Sequence, residues 1–246
     1  MPILLYDKRP PILTVTVNRP QVLNAISEEL CQALYAAMDD FNRDPALKVA
    51  ILTGEGRSFS SGRDLKETLP NDEYGQPPVT QGGRHKTLEP FSFKPLVAAI
   101  RGHCLAHGMD WLGHCDVVVA SEDALFGLPE IKVGATAGFV WDNLCHTSPA
   151  GDGAKMNLSG QSISAGDAYR LGIVQEVVPK ERLMEEARRI AEGFARLDTE
   201  AVMKIKRVAY FWRNLLLDEC ARTTWVHLPE LRAENKRLGI ASRFPR

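Results

Sequence analysis

Two apolar runs with little chain between them constrain this fold most. Lys94-Pro-Leu-Val-Ala-Ala-Ile100 reads as a buried strand, and Cys115-Asp-Val-Val-Val-Ala120 reads as another. The segment between them, Arg101-Gly-His-Cys-Leu-Ala-His-Gly-Met-Asp110, carries Gly102 and Gly108, which permit turns and close backbone approach that a Cβ would resist. Leu128-Pro-Glu130 closes the block, so two acids, Asp110 and Glu130, end consecutive elements beside a glycine-bearing turn. Paired carboxylates near free backbone N–H groups can move protons while an anion is held.

The flanking sequence alternates strand and helix. Ile12-Leu-Thr-Val-Thr-Val-Asn18 alternates and is β-branched, which predicts a strand ended by Arg19-Pro20. Ser27 is placed to cap a helix with Glu28 and Glu29 in its first turn, and Leu30, Leu34, Ala37, Met38 and Phe41 recur at helical spacing. Val49-Ala-Ile-Leu-Thr53 predicts the next strand, and this alternation argues for parallel βαβ units. Residues 68–90 are rich in Pro, Gly, Gln and charge and read as a long surface loop or mobile helix beside a site. Ser164 is a second N-cap, Ile173–Val178 is strand-like, Lys180–Ala195 is amphipathic, and the chain reads as helical to about Lys236. The expected division is an α/β core over 1–195 and a helical part over 196–246.

A chain of 246 residues with 44% hydrophobic and 25% charged residues can bury a substantial core. A net charge of −1 argues against nucleic acid or an anionic membrane as a partner. The five cysteines, odd in number and set in apolar runs, favour reduced thiols in a cytoplasmic protein. No run is long enough to span a membrane, and the charged, proline-bearing N-terminus is unlike a secretory signal.

Three segments invite a functional reading. Thr53-Gly-Glu-Gly-Arg-Ser-Phe-Ser-Ser-Gly-Arg-Asp-Leu-Lys-Glu67 lacks both phosphate-loop signatures, which leaves a plain strand-to-helix connection or a bend at Gly62 that turns the Arg63 N–H into a cavity. His103, Cys104, His107, Asp110, His114 and Cys115 match no zinc spacing, and glycines interrupt the segment, so no metal site is expected. Asp110 could be an early-turn helix acid and Glu130 a partner of Lys132 or Arg101. As a pair they also fit proton transfer.

The ordered series Asn18-Arg-Pro-Gln-Val-Leu-Asn-Ala-Ile26, Ser58-Phe-Ser-Ser-Gly-Arg-Asp-Leu65, Lys94–Gly102, Cys115-Asp116, Phe126-Gly-Leu-Pro-Glu-Ile-Lys-Val-Gly134 and Leu158–Val174 resembles the crotonase (enoyl-CoA hydratase/isomerase) superfamily over residues 10–195. The resemblance implies an α/β crotonase-like (ClpP/crotonase) spiral of ββα units with a helical C-terminal trimerisation part, in a homo-trimer or homo-hexamer. It implies an acyl-CoA thioester as substrate and no other cofactor. By motif position it implies catalytic acids at Glu130 and Asp110, and oxyanion-holding main-chain N–H groups at Arg63 and His107, both bulkier than the usual Ala or Gly. Substrate contacts are implied at Ala25, Ser61, Gly62, Asp64, Leu65, Gly108, Gly138 and Trp141.

Charge that develops on a thioester oxygen, on α-proton removal or on water addition, is stabilised by donors already aimed at it, and the resemblance makes hydration of a 2-enoyl-CoA the expected reaction. Asp110 is one methylene shorter than the Glu usual in hydratases. That keeps two alternatives in view: an enoyl-CoA or dienoyl-CoA isomerase working through Glu130, and a non-catalytic acyl-CoA-binding paralogue.

Overall fold

The computed structural model describes residues 1–64, 66, 90–133 and 150–210. In chain order its main elements are β1 (Leu4–Arg9), β2 (Ile12–Val17), α1 (Glu28–Arg43), β3 (Val49–Gly54), β4 (Leu96–Ile100), β5 (His103–Leu105) and α2 (His107–Leu112). They are followed by β6 (Val117–Ser121), β7 (Leu125–Gly127), a 3-10 turn over Pro129–Val133, α3 (Ala150–Ser159), β8 (Ile163–Ser164), α4 (Ala165–Arg170), β9 (Glu176–Val178) and α5 (Leu183–Ala195).

Six strands form one sheet in the order β1-β2-β3-β4-β6-β9. β1 and β2 are antiparallel, whereas the remaining pairs are parallel, with Val15 opposite Leu52, Leu52 opposite Ala98 and Ala98 opposite Val118. The interior strands β3 and β4 are buried along their whole length, as expected where helices or a second sheet cover both faces. Side chains alternate across β3. Val49 and Ile51 join a core with Leu183, Ala187, Ala191 and Ala195 of α5, while Ala50 and Leu52 join the opposite core with Leu30, Leu34, Met38 and Phe41 of α1. The α5 stripe repeats every four residues and uses alanine at three of its four positions, which lets the helix lie close to the sheet. A smaller sheet, β5-β7-β8, lies on the α1 side of the molecule: Cys104 and Phe126 enter the same core as Leu52.

Ser27 caps α1 as expected, its hydroxyl accepting from the Leu30 N–H at 3.2 Å. The Ser164 hydroxyl does the same for α4, accepting from the Asp167 N–H at 3.1 Å. Three expectations need adjusting. The strand β1, which the sequence reading omits, is an edge strand whose residues are mostly exposed, so its pattern is not that of a buried run. The predicted strand over 173–178 is confined to 176–178, because the Ile173 and Val174 N–H groups bond to Ala168 O and close the end of α4. Cys115 likewise lies in a turn, its N–H bonded to Leu112 O, and the strand after it starts at Val117. Residues 67–89 and 211–246, where a loop and further helix are expected, lie outside the described residues.

Beyond α5, residues 199–210 are helical and are tied back to the core. The buried Lys206 Nζ donates to Asp116 Oδ2 at 2.7 Å and to Lys94 O at 3.2 Å, and the same Asp116 oxygen accepts the Leu96 N–H at 2.8 Å. Lys94 is itself buried, its ammonium donating to Phe41 O and Asp44 O, each at 2.7 Å. Burial pushes the Lys94 pKa down, and the carbonyl partners supply the hydrogen bonds a buried charge requires.

Candidate active site

The connection after β3 is built around Asn24, a fully buried side chain. Its amide nitrogen donates to Glu55 O at 2.9 Å and Ser58 O, and its oxygen accepts the Arg19 N–H at 2.8 Å. Leu23 and Asn24 both hold positive φ, of 53° and 56°, a region uncommon for residues with a Cβ. Ser60 adds a second brace: its hydroxyl donates to Asn24 O at 2.9 Å and accepts the Gly62 N–H at 3.1 Å. Arg19 closes the turn by donating to Ala25 O and pairing with Asp64 Oδ2 at 3.0 Å.

These braces set the direction of one peptide. Ile26 bonds to both neighbours of Arg63, through Ile26 N–H to Gly62 O and Asp64 N–H to Ile26 O, each at 2.8 Å. In a parallel bridge of this kind the intervening residue turns its own N–H to the opposite side. The Arg63 amide therefore points away from Ile26. Gly62 has φ of +96°, and a Cβ there would lie 2.6 Å from the Ala106 Cβ. Only glycine fits this approach.

Ala106 is the residue before the second expected amide. It also holds positive φ, 53°, and its N–H bonds to Gly127 O at 2.9 Å. His107 then opens α2, where the first helical N–H groups have no partner inside the helix. The contact between Gly62 and Ala106 thus joins the residues directly preceding the two amides. Gly108 tightens the same junction, since a Cβ there would come to 3.0 Å from the Ser60 Cβ.

The two acids stand on elements fixed by this junction. Asp110 is buried in α2, its Oδ2 4.0 Å from His107 Nδ1. Glu130 follows Pro129 in the 3-10 turn after β7, and β7 pairs with β5 through Leu105 and Gly127, next to Ala106. Its Oε2 is buried with no hydrogen-bond partner among the described residues, and burial raises its pKa above the ordinary glutamate range. Arg101, the other partner considered for it, reaches Gly56 O at 3.4 Å instead. The raised pKa favours the protonated carboxyl, the form a proton donor needs.

Of the other expected contacts, Ala25, Ser61, Gly62, Asp64 and Gly108 all lie on the two braced segments. The Ser61 N–H is held by Leu23 O at 2.9 Å, and the Asp64 carboxylate is engaged by Arg19. Leu65, Gly138 and Trp141 lie outside the described residues. The histidines and cysteines of the 103–115 run are occupied separately. His103 Nδ1 meets the Ser58 hydroxyl at 3.2 Å, His114 stacks on Phe91 with centroids 4.0 Å apart, and Cys104 is fully buried. Among the described residues no three His, Cys, Asp or Glu side chains gather as a metal site. Sequence reasoning did not single out Arg19, Asn24 and Ser60. The one available signal was an Asn beside a turn, the residue type most tolerant of positive φ after glycine.

The comparisons agree with this architecture. Residues 7–210 match the enoyl-CoA hydratase/isomerase family. A mevalonyl-coenzyme A hydratase from Aspergillus fumigatus is 36% identical over 216 residues, covering 86% of this chain and 80% of that protein. A 2,3-dehydroadipyl-CoA hydratase from Escherichia coli is 34% identical over 205 residues, covering 83% of this chain and 80% of its own length. The crystal structure of an enoyl-CoA hydratase from Mycobacterium marinum superposes with a TM-score of 0.78 at 32% identity, covering 100% of this chain and 98% of that one. With its paired sheets, its braced turn after β3 and a match spanning most of its length, the chain belongs to the enoyl-CoA hydratase/isomerase family and has the crotonase fold.

Proposed function

We propose that the protein adds water across the double bond of a 2-enoyl-CoA to give the 3-hydroxyacyl-CoA. The Arg63 and His107 N–H groups hold the thioester oxygen while charge builds on it. Each such donor is worth ~3 kcal/mol of barrier in comparable sites. Asp110 positions the water and accepts its proton as the oxygen bonds to C3, and Glu130 donates a proton to C2. The two carboxyls then exchange the difference through solvent, so the cycle closes with no net proton change. The observation that supports this best is Glu130, whose Oε2 is buried with no hydrogen-bond partner among the described residues and whose pKa burial raises, which favours the protonated form that donation to C2 requires.

Two amides and two carboxyls suffice for this chemistry, so CoA enters as the handle of the substrate and no further cofactor is assigned. The proposal includes a homo-trimer or homo-hexamer, with the part from residue 196 as the helical appendage to the 1–195 core that meets a neighbouring subunit. Exposed apolar side chains support it: Ile131 and Leu158 near the α3 side, and Ile205 and Val208 on the helix after α5. A cytoplasmic setting is supported by the free thiols of Cys104 and Cys115.

The test is a mass-resolved screen over short, long and aromatic enoyl-CoA esters. Hydration appears as loss of the conjugated thioester absorbance with gain of one water. Glu130→Gln should lower kcat on the order of 1,000-fold while leaving binding of the CoA ester nearly intact. A double-bond shift at constant mass would replace hydration by isomerisation, and binding without turnover across the screen would leave an acyl-CoA-binding protein.

A further inference from the structure

The side chain of His107 is unassigned by the chemistry above, which uses only its main-chain N–H. His107 and Asp110 lie three apart on α2 and share a face, and Trp111, four along, meets the imidazole edge-on with centroids 6.1 Å apart at 64°. The imidazole is 31% exposed while the Asp110 side chain is 4% exposed, so a partly exposed ring lies beside a buried carboxylate. We propose that the His107 imidazole is a positioning residue for Asp110, its Nδ1–H closing onto Oδ2 to hold the short carboxylate toward the water. The inference rests on the hydratase reading and extends it to a side chain peculiar to this site.

A neutral ring is what such a role needs, since neutral imidazole can donate from Nδ1 without cancelling the carboxylate charge. Burial lowers the His107 pKa, the Asp110 charge raises it and Arg63 lowers it. The Asp110 charge is also felt by Tyr35 of α1, whose phenol is pushed up to about 12 by burial and by Cys31, Asp110 and Glu28. The 4.0 Å separation exceeds a hydrogen bond, so the proposed contact requires Nδ1 to close on Oδ2 by about 1 Å. Asparagine at this position would present its amide nitrogen where Nδ1 stands and would not titrate.

Two measurements test the pair. His107→Ala should lower kcat for the best enoyl-CoA on the order of 100-fold with KM little changed, and His107→Asn should recover most of that loss. Full kcat in His107→Ala, while Glu130→Gln is inactive, would overturn the positioning role and leave the hydratase reading standing. NMR titration of the imidazole, assigned by its absence in His107→Ala, gives the second measurement and needs no turnover. Asp110→Asn should lower the His107 pKa by about half a unit or more, because it removes the charge that raises it. An unchanged pKa would show that the two groups do not interact and would overturn the proposal even in a protein that hydrates nothing. A wild-type protein without turnover whose His107 responds to Asp110→Asn would sink the hydratase reading alone.

Discussion

The two faces of the six-stranded sheet are built by different rules. On one face a single amphipathic helix, α5, lays Leu183, Ala187, Ala191 and Ala195 across Ile12, Val49, Ile51, Val97, Ala99 and Val119. The other face carries α1, the small sheet and the braced turns. All three described non-glycine residues with positive φ, Leu23, Asn24 and Ala106, are on the site turns, together with Gly62. The α5 face is a regular apolar contact, whereas the second face, besides burying the larger core, holds uncommon backbone conformations in place with buried side-chain hydrogen bonds. Both faces bury a core, but only the α1 side adds strained turns held by buried polar side chains, with β3 and β4 shared between the two.

Substitutions can test that difference. The largest effect is Glu130→Gln, which should separate activity from stability. Since burial raises the folded-state pKa, the folded protein holds this proton more tightly than the unfolded chain. The stability it lends is present at acid pH and is lost as pH rises from the ordinary glutamate value through the raised one. Thermal melts should therefore show Glu130→Gln equal to or more stable than the wild type at neutral pH, with the advantage gone in acid. Leu183→Ala, on the regular face, should do the reverse, costing ~3 kcal/mol in denaturant unfolding with kcat intact. A loss of kcat there would show that the faces are coupled. Gly62→Ala should disturb both properties, destabilising by ~2 kcal/mol through its positive φ and the Ala106 clash while turning the Arg63 amide out of line. Smallest is Ser27→Ala, which removes the α1 cap for ~1 kcal/mol and should leave turnover unchanged, since regular elements on the site face ought to behave like α5.

The same contrast explains what could be read in the sequence. Leu30, Leu34, Ala37, Met38 and Phe41, picked out by spacing, are the buried residues of α1, and Val49–Thr53 falls within β3. Such elements announce themselves because burial acts on a local period. β1 did not, because an exposed edge strand is defined by its partner rather than by its own pattern. The brace at Asn24 was invisible for a related reason: its amide bonds lie 31 and 34 residues away, and nothing local distinguishes it from any other turn asparagine. Glu130 was legible through its Leu-Pro-Glu setting. The unpartnered state of its Oε2 was not, since that depends on what fails to approach it in space.

Asp116 links distant parts of the chain through one oxygen. That atom receives both the ammonium of Lys206 and the first N–H of β4, the strand that leads into Gly102 and the turn before the His107 amide. The helix bearing Lys206 is thereby tied to the start of β4. A clip in the chain between α5 and Lys206 would remove the counter-charge of Asp116 and slacken β4 first at Leu96, the end where the two contacts meet.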